Sequence, residues 1–159
     1  MHLYLVQHAD ALAEDIDPSR PLSERGRTDA ERIAALVGGH LRGLSRILHS
    51  GKTRARQTAE ILAREIGGAA IEQAHGLNPL DDPEAFAHHI DASDDDVMLV
   101  GHLPFMGRLV SRLLTRDAEA GVVAFQPGTV LCLEGDDGTW RLAWMVRPEL
   151  LLPSDGEGR

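Results

Sequence analysis

Apolar positions follow two periods along this chain. Short continuous apolar runs at residues 3–6, 47–48 and 97–100 read as buried strands. Between them, apolar residues return every three or four positions. Ala30, Ile33, Ala34 and Val37 give one face of a helix with Ser23 as N-cap and Leu22 as staple, ended by Gly38-Gly39. A second helix spans residues 54–66 and stops at Gly67-Gly68. A short strand at 70–72, a helix from Asp82 or Pro83 to Ile90, and a helix over 105–114 with Pro104 near its first turn complete the pattern. The last third changes character. Strands are expected at 122–125, 130–134 and 140–146, the latter two joined by a Gly135-Asp136-Asp137-Gly138 turn. Trp140 and Trp144, four residues apart, are expected to pack on one face of their strand. Strand–helix alternation followed by a hairpin predicts an α/β sandwich around a mixed sheet.

No Pro/Gly/Ser-rich linker divides the 159 residues, so one domain over 1–147 is expected, with 148–159 as a flexible tail. The formal charge of −9, with acidic clusters at 14–17, 81–82 and 91–96, would repel a nucleic-acid duplex. An anionic substrate must then be captured by a local cationic pocket. The single cysteine, Cys132, sits in an apolar strand pattern and reads as core. Residues 1–6 are too short for a signal sequence, and no apolar run approaches the ~20 residues of a membrane span. A cytoplasmic protein without membrane partners is the expectation.

The candidate chemistry lies where strands stop. His8 follows the first strand and His102 follows the strand at 97–100, positions that border the ligand crevice of α/β folds. A third junction, Ser50-Gly51-Lys52-Thr53-Arg54-Ala55-Arg56, is rich in cations. A neutral imidazole can attack phosphorus and carry the phosphoryl group, a second histidine can hold an oxygen or move a proton, and an arginine fork can grip two oxygens. Arg54 and Arg56 lie about 200° apart on a helix, so only one of them can face the crevice. Ser50 and Thr53 are expected to cap that helix. Gly51-Lys52-Thr53 lacks the upstream glycine of a nucleotide-binding loop, since that position holds Arg46. His8-Ala9-Asp10 and His88-His89 near Asp81, Asp82 and Glu84 have ligand-type residues, but adjacent histidines on a helix do not share a face, and no metal site is expected.

In order along the chain, His8, Arg20-Pro21-Leu22-Ser23, Ser50-x-x-x-Arg54-Ala55-x-Gln57-Thr58 and Gly101-His102-Leu103-Pro104 resemble the histidine phosphatase (phosphoglycerate mutase-like) superfamily, and within it the SixA-type phosphohistidine phosphatases. The resemblance implies a three-layer α/β/α sandwich with a central mixed, mostly parallel sheet. It makes His8 the phosphorylated nucleophile, Arg54 the phosphate clamp and His102 the second catalytic histidine. Gln7, Arg20 and Leu103 become phosphate-pocket residues, with Asp81 and Asp82 as candidate general acids. Neither metal nor organic cofactor is implied. The implied substrates are phosphohistidine proteins, such as a histidine phosphotransfer domain, or else small phosphoesters. One position departs from the family pattern: Gln7 stands where an arginine precedes the nucleophile. Arg20 can compensate; the alternative reading is a phospho-ligand binding module without turnover.

Overall fold

The apolar run near the start of the chain becomes β1 (His2–Gln7), and its alternation sorts the core onto two faces. The computed structural model describes residues 1–91 and 93–151. With β2 (Arg46–His49), β3 (Ala70–Gln73), β4 (Val97–Gly101), β5 (Val130–Asp136) and β6 (Thr139–Val146), β1 forms one sheet in the order β3-β2-β4-β1-β5-β6. The first four of these pair in parallel, while β5 runs antiparallel to both β1 and β6. Tyr4 and Val6 face one way, into a core shared with α1 (Glu24–Val37) and α2 (Thr53–Ile66). Leu3 and Leu5 face the other, into a core shared with α3 (Pro83–Asp91) and α4 (Phe105–Thr115). Each of these fully buried leucines is worth about 1.5–3 kcal/mol relative to exposure. The result is the three-layer α/β/α sandwich, with the parallel strands all ending on one side.

Local signals explain most boundaries. The Ser23 hydroxyl accepts from the Gly26 N–H at 2.9 Å and caps α1, whose Ala30, Ile33, Ala34 and Val37 are buried as the spacing predicts. Gly67, with φ 75°, ends α2. Cys132 is buried in β5, where desolvation pushes its thiol up to about 11 and leaves it unreactive.

Four expectations need correction. Residues 122–125 form no strand: both sides of β5 are already taken by β1 and β6, and the Gly121 and Val122 N–H groups turn instead to the Ser111 hydroxyl at 3.1 and 3.4 Å. Val123 and Phe125 still pack against the core. The hairpin turn is tighter than expected, because β5 runs on to Asp136 and only Asp137-Gly138, both at positive φ, make the connection. Trp140 and Trp144 lie on opposite faces, Trp140 packing towards α3 and α4 and Trp144 towards α1. A bulge causes this: Cys132 pairs with Trp144 but Leu133 pairs with Leu142, so Ala143 is extra and the side-chain alternation inverts. Finally, the chain stays folded past residue 147. Residues Pro148–Leu151 form a 3₁₀ turn with Pro148 buried and Leu151 against the α1 core; positions 152–159 lie outside the described residues.

Candidate active site

Three neighbouring parallel strands deliver the candidate groups. Gln7 is in register with Gly101, and His49 with Val100, so the residues that follow (His8, Ser50 and His102) emerge side by side at the strand ends. His8 is fixed by backbone: its N–H donates to Gly101 O at 2.9 Å, and its carbonyl accepts from Gly128 N–H at 3.2 Å. The His8 and His102 rings stand with centroids 5.0 Å apart.

The protonation of His8 follows from one bond. Its Nδ1 lies 2.7 Å from Ala9 O, and a carbonyl can only accept, so Nδ1 carries the proton and Nε2 keeps a free lone pair. Burial lowers the His8 pKa to about 4, with the cations Arg54 and Arg20 adding to the effect against the Ala9 bond and Asp10. His102 is 2% exposed and drops to about 3, through burial first and then His8, Arg54, Lys52 and Arg20. Two neutral imidazoles thus stand among three cations, although the chain as a whole carries −9. In the free protein, kcat/KM for an aryl phosphate, corrected for substrate ionisation, should therefore hold from neutrality down to about pH 5. It should fall only as His8 protonates near 4. A limb near the ordinary histidine value of 6.5 would show that His8 is not shielded as the structure has it.

The cations are placed by different devices. Arg54 opens α2, and its Nε is buried without a partner; burial and the nearby Arg20 press its pKa below the usual arginine value, a measure of how closely the two guanidinium groups gather. Arg56 is exposed and pairs with Glu60 at 3.6 Å, so of the two arginines it is Arg54 that faces the histidines. Arg20 reaches in from the loop before α1. It holds φ at 46°, which is unfavourable for a residue with a Cβ, and anchors its Nε on Leu12 O at 3.0 Å. Two side chains tie this loop to α2: the Leu22 N–H donates to Gln57 Oε1 at 2.8 Å, and the Ala9 N–H to Thr58 Oγ1 at 3.0 Å. Gln7 is buried at the end of β1 with its Oε1 unpartnered, and Leu103 is 41% exposed beside His102.

Two expectations shift. Ser50 and Thr53 do not cap α2: Thr53 is already helical, Lys52 takes the cap position without a side-chain bond, and the Ser50 hydroxyl meets His102 Nε2 at 2.6 Å. Asp81 and Asp82 serve local structure, accepting from the Asn78 N–H at 2.8 Å and, at the start of α3, from the Glu84 N–H at 2.9 Å. Both line a separate cavity of about 540 Å³ with Arg46, Phe86 and His89, and neither figures among the charges acting on His8 or His102. Asp10, which sequence reasoning passed over as an acid, does act on His8, but its Oδ2 is engaged by the Ser23 hydroxyl at 2.6 Å.

The sequence model of the histidine phosphatase superfamily (branch 1) matches residues 3–81. A protein of Picosynechococcus sp., itself uncharacterized, is 31% identical over 170 aligned positions that cover 96% of this chain and all of the relative. The chain belongs to the histidine phosphatase superfamily. The phosphohistidine phosphatase SixA of Escherichia coli is 25% identical, covering 93% of this chain and 94% of its own. The solved structure of the protein histidine phosphatase SixA complexed with tungstate superposes with a TM-score of 0.84 at 24% identity, covering 96% of this chain and all of that one. The matched residues 3–81 contain His8, Arg20, Ser50 and Arg54, while His102 enters through β4, the strand that lies between β1 and β2. Phosphatase chemistry is that of the superfamily, and the SixA-like fold is shared over nearly the whole chain. Among the described residues no helix is long and apolar enough to cross a membrane.

Proposed function

We propose that this chain is a metal-independent phosphohistidine phosphatase that works through phospho-His8. The observation that carries this reading is the His8 Nδ1–H to Ala9 carbonyl bond, which leaves Nε2 unprotonated on a ring 5.0 Å from that of His102 and under the charges of Arg54 and Arg20. Nε2 attacks phosphorus as the bond to the substrate's leaving group breaks, and the phosphoryl group passes to His8. Water then attacks phospho-His8, releasing phosphate and restoring the neutral imidazole. Arg54, Arg20 and the His102 ring stabilise the oxygens as charge shifts across them, and Gln7 contributes an amide donor.

The substrate class follows from what surrounds the nucleophile. Among the described residues the one carboxylate acting on His8 is Asp10, already bonded to Ser23, so none of them offers a free acid beside the nucleophile to protonate an alkoxide. A phosphorylated imidazole needs none: protonated on its other ring nitrogen, it departs as a neutral molecule. The name of the SixA relative agrees with this choice. The test is phosphate release, in chelator, from a histidine-phosphorylated phosphotransfer domain. Release supports the reading. Turnover of small aryl phosphates alone would make the chain a general phosphomonoesterase, and loss of activity in chelator would overturn metal independence.

Gln7 favours a second reading, a binding module, because an amide replaces a fixed charge beside the nucleophile. A charged hydrogen bond is worth about 1.5–3 kcal/mol, or roughly ten- to a hundredfold in rate. Gln7→Arg should raise kcat/KM by that order in a working phosphatase. A rise from no turnover at all would favour the binding module for the natural chain. Because Gln7 is buried, thermal melting of the variant must accompany the kinetics.

A further inference from the structure

Ser50 and His102 form the shortest side-chain contact in the buried part of the site. The Ser50 hydroxyl lies 2.6 Å from His102 Nε2, with both residues buried. The hydroxyl oxygen has one other contact, the Lys52 N–H at 3.4 Å, and that group can only donate. The Ser50 proton therefore has one acceptor among the described residues, His102 Nε2. A neutral imidazole that accepts at Nε2 must carry its proton on Nδ1. His102 Nδ1 is buried and unpartnered, on a ring whose centroid lies 5.0 Å from that of His8. The turn that holds Ser50 is itself pinned, since the Gly51 N–H donates to His49 Nδ1 at 3.0 Å, and burial keeps His49 neutral enough to accept by lowering its pKa. Gly51 sits at φ 92°, a conformation that side chains rarely adopt, so the turn's shape depends on the glycine.

We propose that Ser50 is a positioning residue that locks His102 in its Nδ1–H tautomer, making His102 a neutral hydrogen-bond donor to the phosphoryl group and not the acid that protonates the leaving group. The target of that donor rests on the phosphatase reading above; the tautomer does not. The assignment deepens the substrate class. With His102 committed as a donor through Nδ1 and its Nε2 occupied by Ser50, the site favours phosphoryl groups whose leaving atom needs no proton from the protein.

Long-range ¹⁵N–¹H spectra of the whole protein read the tautomer directly, with His102→Gln identifying the signal. In wild type, Nε2 should appear as the unprotonated nitrogen and Nδ1 as the protonated one. Ser50→Ala should move His102 to a mixture of tautomers and lower kcat for a phosphorylated phosphotransfer domain about tenfold, with KM little changed. Ser50→Thr, which keeps the hydroxyl, should hold both the tautomer and kcat within about threefold of wild type. An Nε2–H tautomer in wild type, or a Ser50→Ala variant with unchanged spectrum and kcat, would overturn the assignment. If wild type showed the Nδ1–H tautomer but turned over no phospho-substrate, Ser50's role would stand and the phosphatase reading would fall.

Discussion

Replacing His8 with alanine should reduce phosphate release from a phosphorylated phosphotransfer domain by on the order of 10⁴-fold or more, because the variant lacks the atom that accepts the phosphoryl group. The structure makes the experiment clean. His8 is held by its own backbone bonds to Gly101 and Gly128, and those survive truncation of the ring. The side chain's one hydrogen bond runs to the carbonyl of the adjacent Ala9, so no bond to another element is lost with the ring. A fall in activity without a fall in melting temperature is thus the expected pairing. Alkaline quench of wild type during turnover should trap a phosphoenzyme that is stable to base and lost on later acid treatment, and the variant should trap none. Retained activity in His8→Ala would remove the nucleophile from this position and, with it, the proposed mechanism.

Arg54→Ala should cost about a hundredfold in kcat/KM, the scale of one or two charged hydrogen bonds lost from a desolvated site. The buried Nε without a partner identifies a guanidinium placed for something other than holding the fold. Removing it also relieves repulsion from Arg20 and lifts a positive charge from both histidines. The variant should therefore be no less stable than wild type while its histidines bind protons more readily, shifting the acid limb of the profile upward. Arg56→Ala is the matched control: that side chain is exposed against Glu60, and its loss should leave turnover within about twofold, as expected of a surface ion pair. A near-neutral Arg54→Ala beside a damaged Arg56→Ala would transfer the clamp to Arg56.

The parts of this molecule legible in its sequence are those governed by short-range rules. Ser23 caps α1 because a hydroxyl three residues before a helical N–H has a fixed place to reach, and the two cores follow from the parity of Leu3, Tyr4, Leu5 and Val6. His8 and His102 stood out because each ends a buried strand. Ser50 did not, because a serine shortly before a helix ordinarily caps it. Its contact with His102 depends on β2 lying next to β4, a matter of strand order that no local pattern carries. Asp81 and Asp82 were attractive as acids by residue type, but an aspartate directly before Pro83 is a helix-start signal that could have assigned Asp82 to α3. The Trp140–Trp144 parity failed at Ala143, where one inserted residue reverses every later side chain on the strand and leaves no mark in composition.

The separation of the two imidazoles has a source outside the site. Neighbouring strands of any sheet run about 4.7–4.9 Å apart, and the His8 and His102 rings, projecting from adjacent strands one residue beyond the paired Gln7 and Gly101, stand 5.0 Å apart. The neighbourhood of the two imidazoles is thus inherited from the sheet, because the backbone ladder places their Cα atoms at adjacent strand ends. The loops bearing Arg20 and Leu103 can then be lengthened, shortened or recharged while the hydrogen bonds of β1 and β4 keep the two strand ends that carry His8 and His102 in register.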